Sequence, residues 1–170
     1  ELKNIKIFSK LSLSNKDLLK EKDFIFLLSL MIIDDTDNAD YFLYKFNIAK
    51  KNHKKIKIID NFYKKKINSK TFTISNMNNV FYYYGKELTL DIINFQIIKS
   101  NKLNNSLKEL SKHYENSKAP VMPISADLLM KKYEISEGKQ LGEKLRIIEQ
   151  EWIKNNFKIS DQQVDSIINN

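Results

Sequence analysis

The chain has 170 residues, 42% hydrophobic and 29% charged, a balance that fits one globular domain or two small ones and excludes a disordered tract. It contains no cysteine, which excludes a disulfide framework and a thiolate metal site. The net charge of +8 invites a polyanionic partner, although Arg146 is the one arginine and lysine lacks the bidentate fork used to read bases.

In chain order, Lys3 to Phe8 comes nearest to strand alternation and is short. Ser14-x-x-Asp17 resembles a capping box with Asp in place of Glu or Gln, and it predicts a helix over 15–33. The second half of that helix is apolar nearly all round, which predicts a central core element. Its apolar run over 24–33, interrupted by Ser29, is too short to span a bilayer. Asp34-Asp35-Thr36-Asp37-Asn38-Ala39-Asp40 reads as a polar loop that caps a helix over 39–46. A third helix, 49–66, turns Ile48, Ile56, Ile59 and Tyr63 inward.

Residues 75–84 and 85–98 read as two helices, or one kinked at Gly85, with Leu88, Ile92 and Phe95 on one face. Leu103, Leu107, Leu110 and Tyr114 form the stripe of a helix over 104–114. An extended turn, Pro120-Val121-Met122-Pro123, follows, because a residue before proline is pushed out of the α region. Ser125 is a good N-cap for a short helix over 127–132. A turn bearing Gly138 starts a longer helix, in which Leu141, Leu145, Ile148 and Trp152 repeat at helical period. Ser160-Asp161 caps a last short helix to 168. These elements predict an all-α fold, an irregular multi-helix bundle, divided into 1–118 and 119–170 or continuous as one domain.

Two surfaces are candidates for binding. On the helix over 49–66, Lys50, Lys54, Lys57, Asn61, Lys64 and Lys65 fall within about a third of the circumference at ~100° per residue. A phosphate backbone needs such a row, because each neutralised phosphate releases a counterion. The same row also arises when lysine merely fills a solvated face, and an AT-rich coding sequence enriches lysine, asparagine and isoleucine whatever the function. The turn Ser136-Glu137-Gly138-Lys139 is the second candidate, since free N–H groups and a positive dipole end suit a phosphate. Lys139 and Arg146 share an exposed face there with Glu143 and Gln150; Glu137 competes for the same helix end.

Other residues read as structural. Asp35-Thr36-Asp37 spells a metal-binding carboxylate pair, but no strand or Gly-rich turn precedes it, and from Asp35 the sixth and twelfth EF-hand positions are Asp40 and Phe46 rather than Gly and Glu. His53 has no acid or second histidine at helical spacing. Phe81, Tyr84 and Leu88 form one stripe, which favours packing over base stacking for the run Phe81-Tyr82-Tyr83-Tyr84. Trp152 ends an apolar stripe, His113 adjoins a core tyrosine, and Ser125 and Asp127 have no local histidine to make a nucleophile.

Three successions carry a family resemblance: Pro123-Ile124-Ser125-Ala126-Asp127-Leu128-Leu129, then Glu137-Gly138-Lys139-Gln140-Leu141-Gly142, then Leu145-x-x-Ile148-Glu149-x-x-Trp152 with Phe157. Tyr44-Lys45-Phe46-Asn47-Ile48 and Tyr84-Gly85-Lys86-Glu87-Leu88 add to them. Together they resemble the carboxy-terminal body and tail of bacterial CCA-adding tRNA nucleotidyltransferases, of the superfamily that includes bacterial poly(A) polymerases. The resemblance implies a parent enzyme that transfers CMP and AMP from CTP and ATP to a tRNA 3′ end in the cytoplasm. It implies Mg²⁺ in an amino-terminal catalytic head, absent here, with no catalytic, cofactor or metal residue in this chain, which alone is catalytically inactive. The start at Glu1 without methionine agrees with a fragment or a processed form. The implied partners are the acceptor and T arms of tRNA and the chain's own head and neck, with Lys50, Lys54, Lys57, Lys64, Lys65, Lys139 and Arg146 as candidate RNA-binding residues. A poly(A) polymerase segment and a helical protein-interaction module remain as alternatives.

Overall fold

A computed structural model describes residues 2, 4–65, 67–68, 70–100 and 104–169. Among them there are nine α-helices, one 3₁₀ segment (Ile5–Lys10) and no strand. The helices are α1 (Leu13–Lys20), α2 (Phe24–Ile32), α3 (Asn38–Lys45), α4 (Lys50–Lys64), α5 (Ile74–Ser100), α6 (Asn105–Asn116), α7 (Ala126–Tyr133), α8 (Lys139–Lys154) and α9 (Asp161–Asn169). The all-α expectation holds. Lys3, Lys66 and Leu103, which the sequence places in a short alternating run, a helix end and an apolar stripe, lie outside the described residues.

The chain divides into two compact units, Glu1–Phe72 with Lys86–Ser117, and Thr73–Gly85 with Lys118–Asn170. The passage between them inside α5 is Gly85, at φ 82° and ψ 177°, a backbone region open essentially to glycine alone.

In the first unit, α2 is the core helix, with Phe26, Leu28, Leu30 and Ile32 buried. The expected single helix over 15–33 is instead α1 and α2. Asp23 ends the first by capping the second, its carboxylate accepting from the Phe26 N–H at 2.7 Å. The capping box at Ser14 is likewise corrected: the cap of α1 is Ser12, which accepts from the Asn15 N–H. Ile56, Ile59 and Tyr63 of α4 are buried as expected, while Ile48 is half-buried. The Tyr63 hydroxyl donates to the Ile92 carbonyl at 2.8 Å, and its ring packs on Phe95 at 4.5 Å. Leu107, Leu110 and Tyr114 of α6 complete this core.

In the second unit, Leu129 of α7, Leu141 and Ile148 of α8 and Val164 of α9 form one apolar cluster. Met122 and Ile124 of the proline-bounded turn pack against it, which gives that stretch its structural purpose. Ser125 caps α7 through the Leu128 N–H, and Ser160 accepts from the Gln163 N–H at the start of α9. Trp152, buried, meets Tyr82 at 5.3 Å and Phe157 at 5.0 Å, both edge to face. The Asn78 amide donates to Asn156 Oδ1 at 2.9 Å beside the end of α8. Phe81 is buried here, but Tyr84 is half-exposed, so the expected stripe of Phe81, Tyr84 and Leu88 is corrected. The positive φ at Gly85 ends the helical register after Tyr84.

Candidate functional site

The lysines of α4 fall into two groups. Lys50, Lys54 and Lys65 are exposed, as is Lys51, and none has a carboxylate partner among the described residues. Lys57 and Lys64 are held by acids. Lys57 is hydrogen-bonded to Asp40 Oδ1, and Lys64 reaches Asp40 Oδ2 at 2.7 Å and Asp37 Oδ1 at 3.2 Å. Beneath them lies the Asp60 carboxylate, 0% exposed, with Lys64 at 3.1 Å and Lys57 at 3.9 Å. Neither Asp60 oxygen has a well-aligned hydrogen bond.

The electrostatics follow from this crowding. Hydrogen bonds from Lys57 and Lys64 hold the Asp40 carboxyl below its usual range. Burial pushes Asp60 the other way, up, against the pull of Lys64 and helped by the neighbouring Asp40 charge. Lys64 is raised well above its ordinary value, first by Asp40. A second network surrounds Lys55, whose ammonium lies 2.8 Å from Asp91, 3.0 Å from Asp23 and 3.1 Å from Glu87. Burial disfavours that charge, but the three acids outweigh it and the lysine stays firmly protonated.

The polar loop caps α3 through Thr36, whose hydroxyl accepts from the Asn38 N–H at 3.1 Å, rather than through a carboxylate. Asp37 makes no side-chain capping bond to α3. Asp34 instead accepts from the Thr36 N–H and hydroxyl, Asp35 (φ 64°) pairs with Lys99 at 2.8 Å, and Asp37 and Asp40 hold Lys64. Two ammonium groups already fill the space between Asp37, Asp40 and Asp60, so this donor set does not fit Mg²⁺. Among the described residues no group of three or more His, Asp or Glu has metal-site geometry.

In the second unit, Lys139 and Arg146 lie on α8, exposed, seven residues apart. Gly138 precedes α8 at φ 153° with no side-chain cap, and Glu137 is exposed beside it. Arg146 lines a cleft of about 440 Å³ with Asn76 and Asn79 of α5 and Gln150 and Lys154 of α8. Sequence reasoning found Arg146 but missed this cleft. Its signal is the pattern 75, 76, 79 on one helix against 146, 150, 154 on the other, readable only once the two are known to be neighbours. His53 is exposed, and His113 stacks edge-on against buried Tyr114 at 4.9 Å.

No helix among the described residues is long and apolar enough to cross a membrane. Neither a curated protein nor a solved structure gave a match to the chain. A family model does, described as tRNA nucleotidyltransferase domain 2 putative, over residues 17–166, which takes in α4, all of α5 and the Pro123–Phe157 successions. The chain therefore belongs to that family, as a helical body and tail region of the tRNA nucleotidyltransferase superfamily.

Proposed function

We propose that this chain is the tRNA-positioning segment of a CCA-adding tRNA nucleotidyltransferase. The family implies tRNA as partner and a nucleotidyl-transferring parent. The single observation that carries the positioning role is the pair Lys50 and Lys54. They stand one turn apart on α4, exposed and without carboxylate partners, while Lys55, Lys57 and Lys64 of the same helix are spoken for. A cation held by the protein's own acids neutralises no phosphate and so displaces no counterion from the RNA; a free one does. In this reading Lys50, Lys54, Lys65, Lys139 and Arg146 contact the phosphates of the acceptor and T arms. Lys57 and Lys64 lie on the same face but hold α3 to α4. The segment supplies fixed geometry, so that the 3′ end of the RNA reaches a cytoplasmic enzyme's catalytic head, where Mg²⁺, CTP and ATP are bound. The segment alone performs no chemistry.

The test is tRNA binding by fluorescence anisotropy at about 50 and 200 mM salt. Affinity is expected to fall steeply across that range, and Lys50→Ala with Lys54→Ala to lower the slope of log K against log salt by about 2. Affinity that is flat in salt, or no binding at 50 mM, would remove the reading. A helical protein-interaction module is the second reading, favoured by Tyr44, 90% exposed at the end of α3, with Tyr41 exposed one turn earlier. Choosing between CCA addition and poly(A) synthesis needs the parent enzyme supplied with CTP or with ATP alone.

A further inference from the structure

The cleft between the first half of α5 and the outer face of α8 lies wholly within the second unit. Its cations are Arg146 and Lys154, eight residues apart and hence about 12 Å along the helix. Its remaining polar lining is the amides of Asn76, Asn79 and Gln150, the carboxylate of Glu151, and Ser75, whose hydroxyl donates to the Lys154 carbonyl. Three carboxylates stand close by: Glu143, exposed on α8 three residues before Arg146 and not hydrogen-bonded to it, and two that are engaged. Glu151 Oε1 accepts from the Asn155 amide at 2.8 Å. Glu149 is held more completely, with Tyr82 donating to Oε1 at 2.9 Å and Tyr83 donating to Oε2 at 2.8 Å.

That second arrangement has an electrostatic result. An arginine three residues before a glutamate on a helix ordinarily pairs with it. Here both Glu149 oxygens are committed to tyrosine hydroxyls, and Arg146 has no carboxylate partner among the described residues. The chain's single guanidinium is exposed at the edge of a polar cleft, and the clamp removes Glu149 as a partner for it. Tyr82 and Tyr83 prefer to stay protonated in this setting, first through burial and then through the Glu149 charge they face, so the clamp persists across neutral pH.

We infer that this cleft is an RNA phosphodiester site, in which Arg146 grips a phosphate through its planar fork, Lys154 neutralises a second, and Tyr82 and Tyr83 act as positioning residues that keep Glu149 off the guanidinium. This rests on the tRNA-binding reading and deepens it by naming a site apart from Lys50 and Lys54. The fork suits a phosphate bidentately, where lysine offers only a point charge. The amides of Asn79 and Gln150 carry both donors and acceptors, which suits the ribose and base edges that accompany a phosphate.

The experiment uses the whole chain and a tRNA transcript, with anisotropy read at about 50 and 200 mM salt. Arg146→Gln, an exposed substitution that keeps the fold, is expected to lose about tenfold in affinity at low salt and to lower the salt slope by about 1. Tyr82→Phe with Tyr83→Phe retains both rings but frees Glu149; it is expected to weaken binding about threefold or more. Adding Glu149→Gln to that pair restores it, a rescue that a merely structural role would not produce. Circular dichroism checks that each variant is folded. If Arg146→Gln keeps wild-type affinity and slope while the Lys50 and Lys54 pair weakens binding, the cleft is not an RNA site and the tRNA reading stands. If the unaltered chain binds no tRNA at 50 mM, both fall together.

Discussion

Asp60 shows how far one residue's surroundings depart from its sequence neighbourhood. On paper it is an acid at i+3 from Lys57 and four before Lys64, a helix-stabilising surface arrangement. In the fold it is fully buried and poorly aligned with both lysines, which prefer Asp40. Its carboxyl is raised above the ordinary 3.8. A raised acid contributes stability that is full below its unfolded pKa and is lost as pH rises through the folded value. At neutral pH Asp60 therefore costs stability. Asp60→Asn is expected to gain on the unaltered protein by about 1–3 kcal/mol at pH 7 and to lose that advantage near pH 4. Urea midpoints at the two pH values measure it; a variant weaker at pH 7 than at pH 4, relative to the parent, would show that Lys64 outweighs burial. Helical spacing sets Asp60 at the edge of the inward stripe, four residues after Ile56 and three before Tyr63, but does not say whether a carboxylate at that edge is covered or turned to solvent.

At the scale of elements, legibility tracks how local the cause is. The caps at Ser125 and Ser160, the stripes of α4, α6 and α8, and the break at Gly85 are all written within a few residues, and the structure carries them. The division of 15–33 into α1 and α2 was hidden because Asp23 looks like a solvated acid until its carboxylate is seen on the Phe26 N–H. Gly85 permits a direct test. A Cβ added there meets nothing within 4 Å, so its cost is backbone strain alone. At φ 82° and ψ 177°, Gly85→Ala is expected to cost about 1–3 kcal/mol. Chemical unfolding measures this, and a loss under 0.5 kcal/mol, the range of a neutral surface change, would mean that residue 85 takes up another backbone conformation without penalty.

For the molecule as a whole, the number that matters for an anionic partner is the count of free cations, which is smaller than the 29 basic residues of the chain. Lys55, Lys57, Lys64 and Lys99 are each paired with internal acids, so their charge is already answered within the first unit. Sequence alone cannot make this subtraction: Asp37 and Asp40 lie more than fifteen residues from Lys57 and Lys64, and only packing of α3 on α4 joins them. Composition thus points to an anionic partner and helical spacing to a candidate face for it, while the division into free and paired lysines came from tertiary structure. The same blindness covers the Arg146 cleft, since residues 73–85 carry no local signature of packing with 118–170. The subtraction predicts two opposite phenotypes on one helix. Lys57→Ala with Lys64→Ala is expected to leave the salt slope of tRNA binding unchanged within error. It is also expected to lower stability by about 1–3 kcal/mol, because Asp60 and Asp40 lose their counter-charges. Lys50→Ala with Lys54→Ala is expected to do the reverse, lowering the slope and leaving the unfolding midpoint in place. Anisotropy and urea unfolding on the same two double variants decide it. If the two pairs shift the slope equally, the ammonium groups of Lys57 and Lys64 must leave their acids for the phosphates, and the ridge acts as one surface rather than two.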